Sequence, residues 1–309
     1  MLSRLIALFL ALGLAASAFA PAQAQRVTSL PLDAPWLGLP QVPVTLNDRV
    51  TGRFIVDTAA SETVLTDATI ARLGLAGSGE PAEVEGATGS SAILFYRLAS
   101  LRLGERRFQR VGAFGFPRLA SPVEADGLIG ADLLRRHVVE FDLAGRRLRL
   151  FDPRADFARS GADWAIIPFY ERRDGLILIE VRIGRLRIPA LLDTGAVQNI
   201  VNHEAARQIG LRPFPGSEGS EPITGASGHV QDMAQLTVSQ FSIGGATFGR
   251  SRLGVTDLAI FDTLGIGDGP AMLLSAEALS NHRFVIDYPR NRLLIERASR
   301  AASSPRPGD

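Results

Sequence analysis

Apolar positions along this chain fall in short alternating runs, the pattern of half-buried strands, with only brief helical stretches between them. Two runs differ because each is solidly apolar and ends in an acid. Phe54-Ile55-Val56 leads into Asp57-Thr58-Ala59-Ala60, and Ala190-Leu191-Leu192 leads into Asp193-Thr194-Gly195-Ala196. After each comes a helical pattern that stops at Gly-Leu, Ile70 to Leu75 in the first case and Ala206 to Leu211 in the second. The offset is 136 from Asp57 to Asp193 and still 136 from Leu75 to Leu211. The chain is therefore an internal repeat.

The repeat continues. Gly86-Ala87-Thr88-Gly89 matches Gly225-Ala226-Ser227-Gly228, each Gly-rich between alternating residues, the mark of a hairpin tip. Leu128-Ile129-Gly130-Ala131-Asp132-Leu133-Leu134 matches Leu273-Leu274-Ser275-Ala276-Glu277-Ala278-Leu279. A strand–turn–strand closes both copies, Val138 to Leu150 and Phe284 to Ile295. Each copy thus predicts hairpin, Asp loop, short helix, hairpin, strand, short helix, hairpin: a mostly β lobe with short helices. The polar stretch Asp152 to Asp163 marks the boundary, giving lobes at 25–156 and 157–297. The tail 298–309, rich in small, Pro and charged residues, is expected to be disordered.

The N-terminus changes the picture of location. Arg4 precedes an apolar run from Leu5 to Ala16, and Ala22-Gln23-Ala24 is a small-x-small cleavage site. Residues 1–24 read as an export signal, and the run is short for a membrane span, which needs ~20 residues. The body is expected to be periplasmic or secreted, with no stable span once the signal is removed. Segment Arg26 to Gln41 has two readings, a removable propeptide or the first strand.

Composition excludes several chemistries. There is no cysteine, hence no disulfide scaffold and no thiolate nucleophile. The four histidines, His137, His203, His229 and His282, form no HExxH-type pair, so a zinc peptidase is not expected. No GxSxG occurs. Net charge is +1, which gives no electrostatic reason for a nucleic-acid partner.

What remains is the pair of acids. A carboxylate at the inner end of a buried strand is expensive unless paired or hydrogen-bonded. A lone Asp-Thr-Gly is weak, since about one chain in fifteen of this length carries one by chance. Two such loops at matching places in a repeat are a different matter. If the copies pack about a pseudo-two-fold axis, the aspartates meet and share a proton. An ionised carboxyl then deprotonates a water while a protonated one polarises a carbonyl. Such a site needs neither metal nor organic cofactor.

Taken together, these motifs resemble those of the retropepsin-like aspartic peptidases: an apolar strand into Asp-Thr/Ser-Gly-Ala, a glycine-tipped hairpin, and an apolar-apolar-Gly strand before a short helix. The resemblance runs from about Val42 to Glu296, in two passes. It implies two homologous acid-protease lobes, catalytic Asp57 and Asp193, and loops supported by Thr58, Ala59, Thr194 and Gly195. Thr58 and Thr194 would brace each other through their hydroxyls. Gly86, Ala87, Thr88 and Gly89, and Gly225, Ala226, Ser227 and Gly228, would tip two flaps over an extended peptide or protein substrate. Viral members pair two chains; here both loops lie in one chain, so a monomer is expected. Two departures bear on catalysis. Ala59 stands where the pattern has Gly, and Ser275 stands where the first copy has Gly130. They keep open an alternative, a non-catalytic module that holds extended peptides in the same groove.

Overall fold

The computed structural model describes residues 27–33, 39–119, 121–210, 223–224 and 230–297. The export signal 1–24, the tail 298–309, Leu211 and the second hairpin tip Gly225-Ala226-Ser227-Gly228 lie outside the described residues.

Each lobe is built around the strand that carries its aspartate. In lobe 1 the strand Val50–Val56 pairs antiparallel with Gln41–Leu46 and parallel with Gly127–Ile129. In lobe 2 the strand Leu186–Asp193 pairs antiparallel with Ile177–Ile183 and parallel with Met272–Ser275. The parallel partner is in both cases inserted between the Asp strand and the next strand of the chain, Val64–Thr66 or Asn199–Val201. The chain leaving each aspartate must therefore cross over the end of that inserted strand.

The rest of lobe 1 is a seven-stranded sheet that also pairs Gln41–Leu46 with Gly89–Leu103, curling it toward a barrel. Lobe 2 has a nine-stranded counterpart. The helices after the Asp loops are short and capped at both ends. Asp67–Leu73 starts at Thr66, whose hydroxyl accepts from Thr69 N, and stops at Gly74 with φ 63°. His203–Ile209 starts at Asn202, whose side chain accepts from Ala205 N, and stops at Gly210 with φ 78°. The Gly-Leu signature is thus a left-handed helix stop in both lobes.

A six-stranded antiparallel sheet joins the lobes, in the order Thr28–Pro31, Arg147–Phe151, Val138–Asp142, Arg283–Asp287, Arg292–Glu296, Trp164–Pro168. Lobe 1 meets lobe 2 where Val138–Asp142 pairs with Arg283–Asp287, and Phe141 lies opposite Phe284. Their rings stack at 4.7 Å and both are fully buried, which fixes the position of the pseudo-two-fold axis. Beside them buried Glu140 takes Arg149 at 2.6 Å from its own lobe and Arg283 at 3.1 Å from the other. A buried acid with two arginine partners is a register-setting device as much as a stabilising one.

The N-terminal segment bears on one of the two readings above. Thr28–Pro31 is the edge strand of this junction sheet, and Leu30 and Leu32 are buried. Residues Thr28–Pro31 thus form a first strand in this structure. The polar connection is pinned as well. Asp156 pairs with Arg292, and Arg290 donates to Ala155 O at 2.8 Å.

Candidate active site

The two Asp loops meet at the lobe junction, above the joining sheet. Thr58 and Thr194 are fully buried and bonded to each other's loops. The Thr58 hydroxyl donates to Leu192 O at 2.7 Å and accepts from Thr194 N at 3.1 Å. The Thr194 hydroxyl donates to Val56 O at 2.6 Å and accepts from Thr58 N at 3.1 Å. Every one of these four bonds crosses between lobes. The arrangement satisfies two buried hydroxyls and fixes the carbonyls just before each aspartate.

The carboxyls of Asp57 and Asp193 consequently face each other at hydrogen-bond range and are partly buried. Asp57 Oδ1 accepts from Ala59 N at 2.8 Å and from Ala60 N at 3.1 Å. Asp193 Oδ1 accepts from Gly195 N at 2.8 Å. The small residues after each aspartate are what permit this: a Cβ on Gly195 would lie 2.4 Å from Asp57 Oδ2. Burial holds both carboxyls above the ordinary aspartate range. For Asp193 the charge of Asp57 adds to the burial, and the shift is larger. Two acids so close cannot both ionise readily, so the pair keeps one proton well above the pH at which a free aspartate loses its own.

A long hairpin of lobe 1 reaches lobe 2. Ser78–Gly86 and Gly89–Leu103 form a hairpin in which Gly86 pairs with Gly89, leaving Ala87-Thr88 as the two-residue tip. Ala87 packs against an apolar cluster of lobe 2 that includes Leu258, Ile260, Phe261 and Leu264. The lobe 2 hairpin has described stems only, Ile223–Thr224 against Val230–Gln231. Gly89 φ is 150°, a value open to glycine at the tip.

Sequence comparison also divides the chain into two matching segments. A family model described as aspartyl protease matches residues 42–133 and again residues 179–278. The chain belongs to the aspartyl protease family. A search of curated proteins finds no match. Among solved structures, the aspartic proteinase from Irpex lacteus matches at 15 % identity over 90 % of this chain and 99 % of that one, with a TM-score of 0.55. At that identity the likeness is one of fold.

In this aspartyl protease the two departures from the repeat are handled differently. Ser275, opposite Asp193 in the parallel ladder, is fully buried, and both its N and its hydroxyl bond Asn199 Oδ1, at 3.0 and 3.3 Å. In lobe 1 the corresponding Gly130 has no such room; a Cβ there would lie 2.6 Å from Glu62 O. Thr63 occupies the place of Asn199 and bonds Asp132 at 3.0 Å instead. The serine is thus absorbed by a compensating asparagine, and the loop beneath Asp193 is held. Ala59 packs against the lobe 2 cluster beside Ala87.

Two apolar walls flank the pair and carry residues that the repeat did not single out. On one side are Ile55, Val64, Ile93 and Phe116, with Val197 reaching in from lobe 2. On the other are Leu191, Ile200, Ile260 and Phe261, with Ala59 reaching in from lobe 1. The short helix Ala259–Thr263 packs against the flap strand Ser78–Gly86. It breaks the repeat, which is why matching the two halves passes over it; the spacing Leu258, Phe261, Leu264 is the signal that finds it. Among the described residues no group of three or more acids and histidines is set to hold a metal, and no helix is long and apolar enough to cross a membrane.

Proposed function

We propose that the chain is an aspartic endopeptidase that hydrolyses peptide bonds in extended segments, using a water activated between Asp57 and Asp193. The observation that carries the reading is the reciprocal threonine brace, which brings two carboxyls into contact beneath a flap. A substrate strand lies between the flap and the pair, gaining backbone hydrogen bonds from the flap edge and apolar contacts from the two walls. The ionised carboxyl takes a proton from water as its oxygen attacks the scissile carbonyl carbon. The protonated carboxyl gives its proton to the carbonyl oxygen, forming a neutral tetrahedral diol. The first carboxyl then protonates the nitrogen, the second recovers the diol proton, the C–N bond breaks, and the pair is restored. One water is consumed.

The test is incubation of the mature chain with a mixed peptide library across pH 3–8, at several protein concentrations. Cleavage inside extended peptides is expected, with specific activity unchanged on dilution. Both acids come from one chain, so activity belongs to the monomer and the entropy loss of association, several kcal/mol, is avoided. Peptide binding without cleavage would favour a non-catalytic peptide-holding module, and a steep fall on dilution would favour a dimer.

We also propose that the working protein is periplasmic or secreted and begins at Gln25, because the small-x-small site Ala22-Gln23-Ala24 follows a short apolar run. N-terminal sequencing of protein from the native host checks this. An intact Met1 on membrane-bound material would overturn it.

A further inference from the structure

We propose that a cleft behind the lobe 1 aspartate loop binds a phosphate monoester, with Arg110, Arg136 and Arg173 seating the phosphate and Glu62 and Asp132 sharing its hydrogen. The cleft has a volume of about 600 Å³, and neither Asp57 nor Asp193 lines it. The inference concerns a second site and stands without the cleavage reading.

Both lobes build the cleft. Glu62 comes from the loop after Asp57, and Asp132 from the helix Ala131–Leu134, with Arg135 and Arg136 just beyond that helix. Arg173 and Asp174 come from a tight lobe 2 turn closed by the Gly175 N–H on Arg172 O at 3.0 Å. Gly175 has φ 88°, and a Cβ there would lie 2.7 Å from the Ala131 Cβ. Glycine thus lets the lobe 2 turn lie against the lobe 1 helix, which brings Arg173 to the same cleft as Arg136. The remaining wall is the strand Arg106–Phe116. In it Arg110 has φ 54°, a left-handed value that arginine rarely adopts in mid-strand. The alternation breaks there, and Gln109 and Arg110 are both exposed. Backbone strain of this kind concentrates at ligand clamps and switch regions.

The ion pairs of the region leave three guanidinium groups over. Arg135 pairs with Glu171 at 3.1 Å, and Asp174 with Arg172 at 3.2 Å. Among the described residues, no hydrogen bond or ion pair holds the side chain of Arg110, Arg136 or Arg173. Two acids remain to face them, Glu62 and Asp132. Burial pushes Asp132 up to about 6, with the charge of Glu62 adding to it and Thr63, the Leu133 N–H and Arg136 opposing. Burial raises Glu62 as well. His137, against Phe108 of the cleft wall, is pushed down to about 4 and stays neutral above that pH. Lobe 2 supplies an internal control. It keeps an acid, Glu277, where lobe 1 has Asp132, but has Ser280-Asn281 in place of Arg135-Arg136 and Gln198 in place of Glu62. The same fold is built without either arginine, so the charge at this cleft is not a requirement of the lobe.

Guanidinium groups bind oxyanions through paired N–H donors. The acids then choose among oxyanions. Sulfate and a simple carboxylate carry no hydrogen at neutral pH, so toward Glu62 and Asp132 they set acceptor against acceptor. A phosphate monoester keeps a hydrogen up to about pH 6, the range in which Asp132 itself titrates. That hydrogen bridges ligand and acid while the other phosphate oxygens accept from the arginines. The volume exceeds what a phosphate group fills and leaves room for the organic body of a small ester. As pH falls through about 6, Asp132 gains its proton and becomes a donor, and repulsion of any anion falls. Binding is therefore strongest on the acid side and weakens as pH rises, more steeply for sulfate than for phosphate.

The experiment is calorimetric titration of the full mature chain with inorganic phosphate and, separately, sulfate, at about pH 5.5 and 7.5 and fixed ionic strength. Phosphate should bind at both, and at the higher pH about tenfold tighter than sulfate, the gap narrowing at the lower. Arg136→Asn, which installs the lobe 2 residue, and Arg173→Gln should each weaken phosphate about tenfold. Neither should move the unfolding midpoint measured without phosphate, since neither side chain holds a partner. Asp132→Asn should raise sulfate binding at the higher pH several-fold, while its amide oxygen still accepts from Thr63. Glycerol phosphate and zwitterionic vesicles carrying phosphatidic acid separate the two sources of a monoester. Glycerol phosphate bound tighter than the vesicles assigns a soluble ester, and vesicle binding lost in Arg136→Asn assigns a lipid headgroup. No phosphate binding, equal affinity for phosphate and sulfate at the higher pH, or binding intact in both arginine variants overturns the proposal. None of these readouts involves cleavage, so their failure leaves the peptidase reading where it stood.

Discussion

Asp57→Asn and Asp193→Asn are each expected to reduce peptide cleavage by about three orders of magnitude or more, the upper part of what positioned acid–base groups supply. Neither asparagine ionises, so each variant loses either the base or the acid and the proton cycle cannot close. The fold should survive, because asparagine keeps the size of aspartate and its side-chain oxygen still accepts from the loop N–H groups. Stability should even gain at neutral pH. The sign follows from linkage. Both carboxyls have folded pKa values above the unfolded value, so between the two the folded state binds more protons, and stability falls as pH rises through that window. Replacing either acid removes part of that fall. Thermal unfolding from pH 4 to 8, measured beside peptide cleavage, checks both halves. A variant that kept most of its cleavage would end the shared-proton mechanism, and one that unfolded at neutral pH would mean the acids serve the fold.

Thr194→Val is expected to destabilise the chain by about 2–6 kcal/mol. The substitution preserves shape but removes two hydrogen bonds in a fully buried place, leaving Val56 O without its donor and Thr58 N without its acceptor. A buried polar group left unpaired costs about 1–3 kcal/mol, and here there are two. Against total stabilities of about 5–15 kcal/mol this is a large fraction. Thr194→Ser keeps the hydroxyl and should recover most of the loss. The double variant Thr58→Val with Thr194→Val should cost about as much as the two singles together, because the two hydroxyls make separate bonds, Thr194 to Val56 O and Thr58 N and Thr58 to Leu192 O and Thr194 N. Chemical unfolding of the parent and the four variants decides it. If Thr194→Val unfolds like the parent, the brace contributes nothing to holding the lobes.

Much of this architecture was legible because the repeat carries its own register. The 136-residue offset that relates the aspartates in sequence also separates Thr58 from Thr194, the two residues whose hydroxyls interlock. Helix ends were legible for a local reason, since Gly74 and Gly210 adopt the left-handed conformation that stops a helix. The inserted strands were not. Phe54 lies beside Gly127 and Ala190 beside Met272, and no local pattern reports pairing between segments more than seventy residues apart. Ser275 read only as a departure from the repeat for the same reason: its compensating partner, Asn199, is remote in sequence. Segment Arg26 to Gln41 stayed ambiguous because one short strand on a sheet edge has the same alternation as a loose peptide.

The joining sheet has a consequence for how the site can change over time. Two identical chains meeting at a two-fold axis must carry every substitution twice, once in each half of the site. Here Arg283 of one half grips Glu140 of the other within a single polypeptide, so the halves stay together without being alike. A mutation is then felt on one side only. The helix Ala259–Thr263 can fill one wall with no twin opposite, and a serine can replace a glycine under one loop while the other loop keeps it. Such a chain can try left-handed and right-handed solutions separately, and its cleft is free to become directional, reading the two ends of a peptide by different rules.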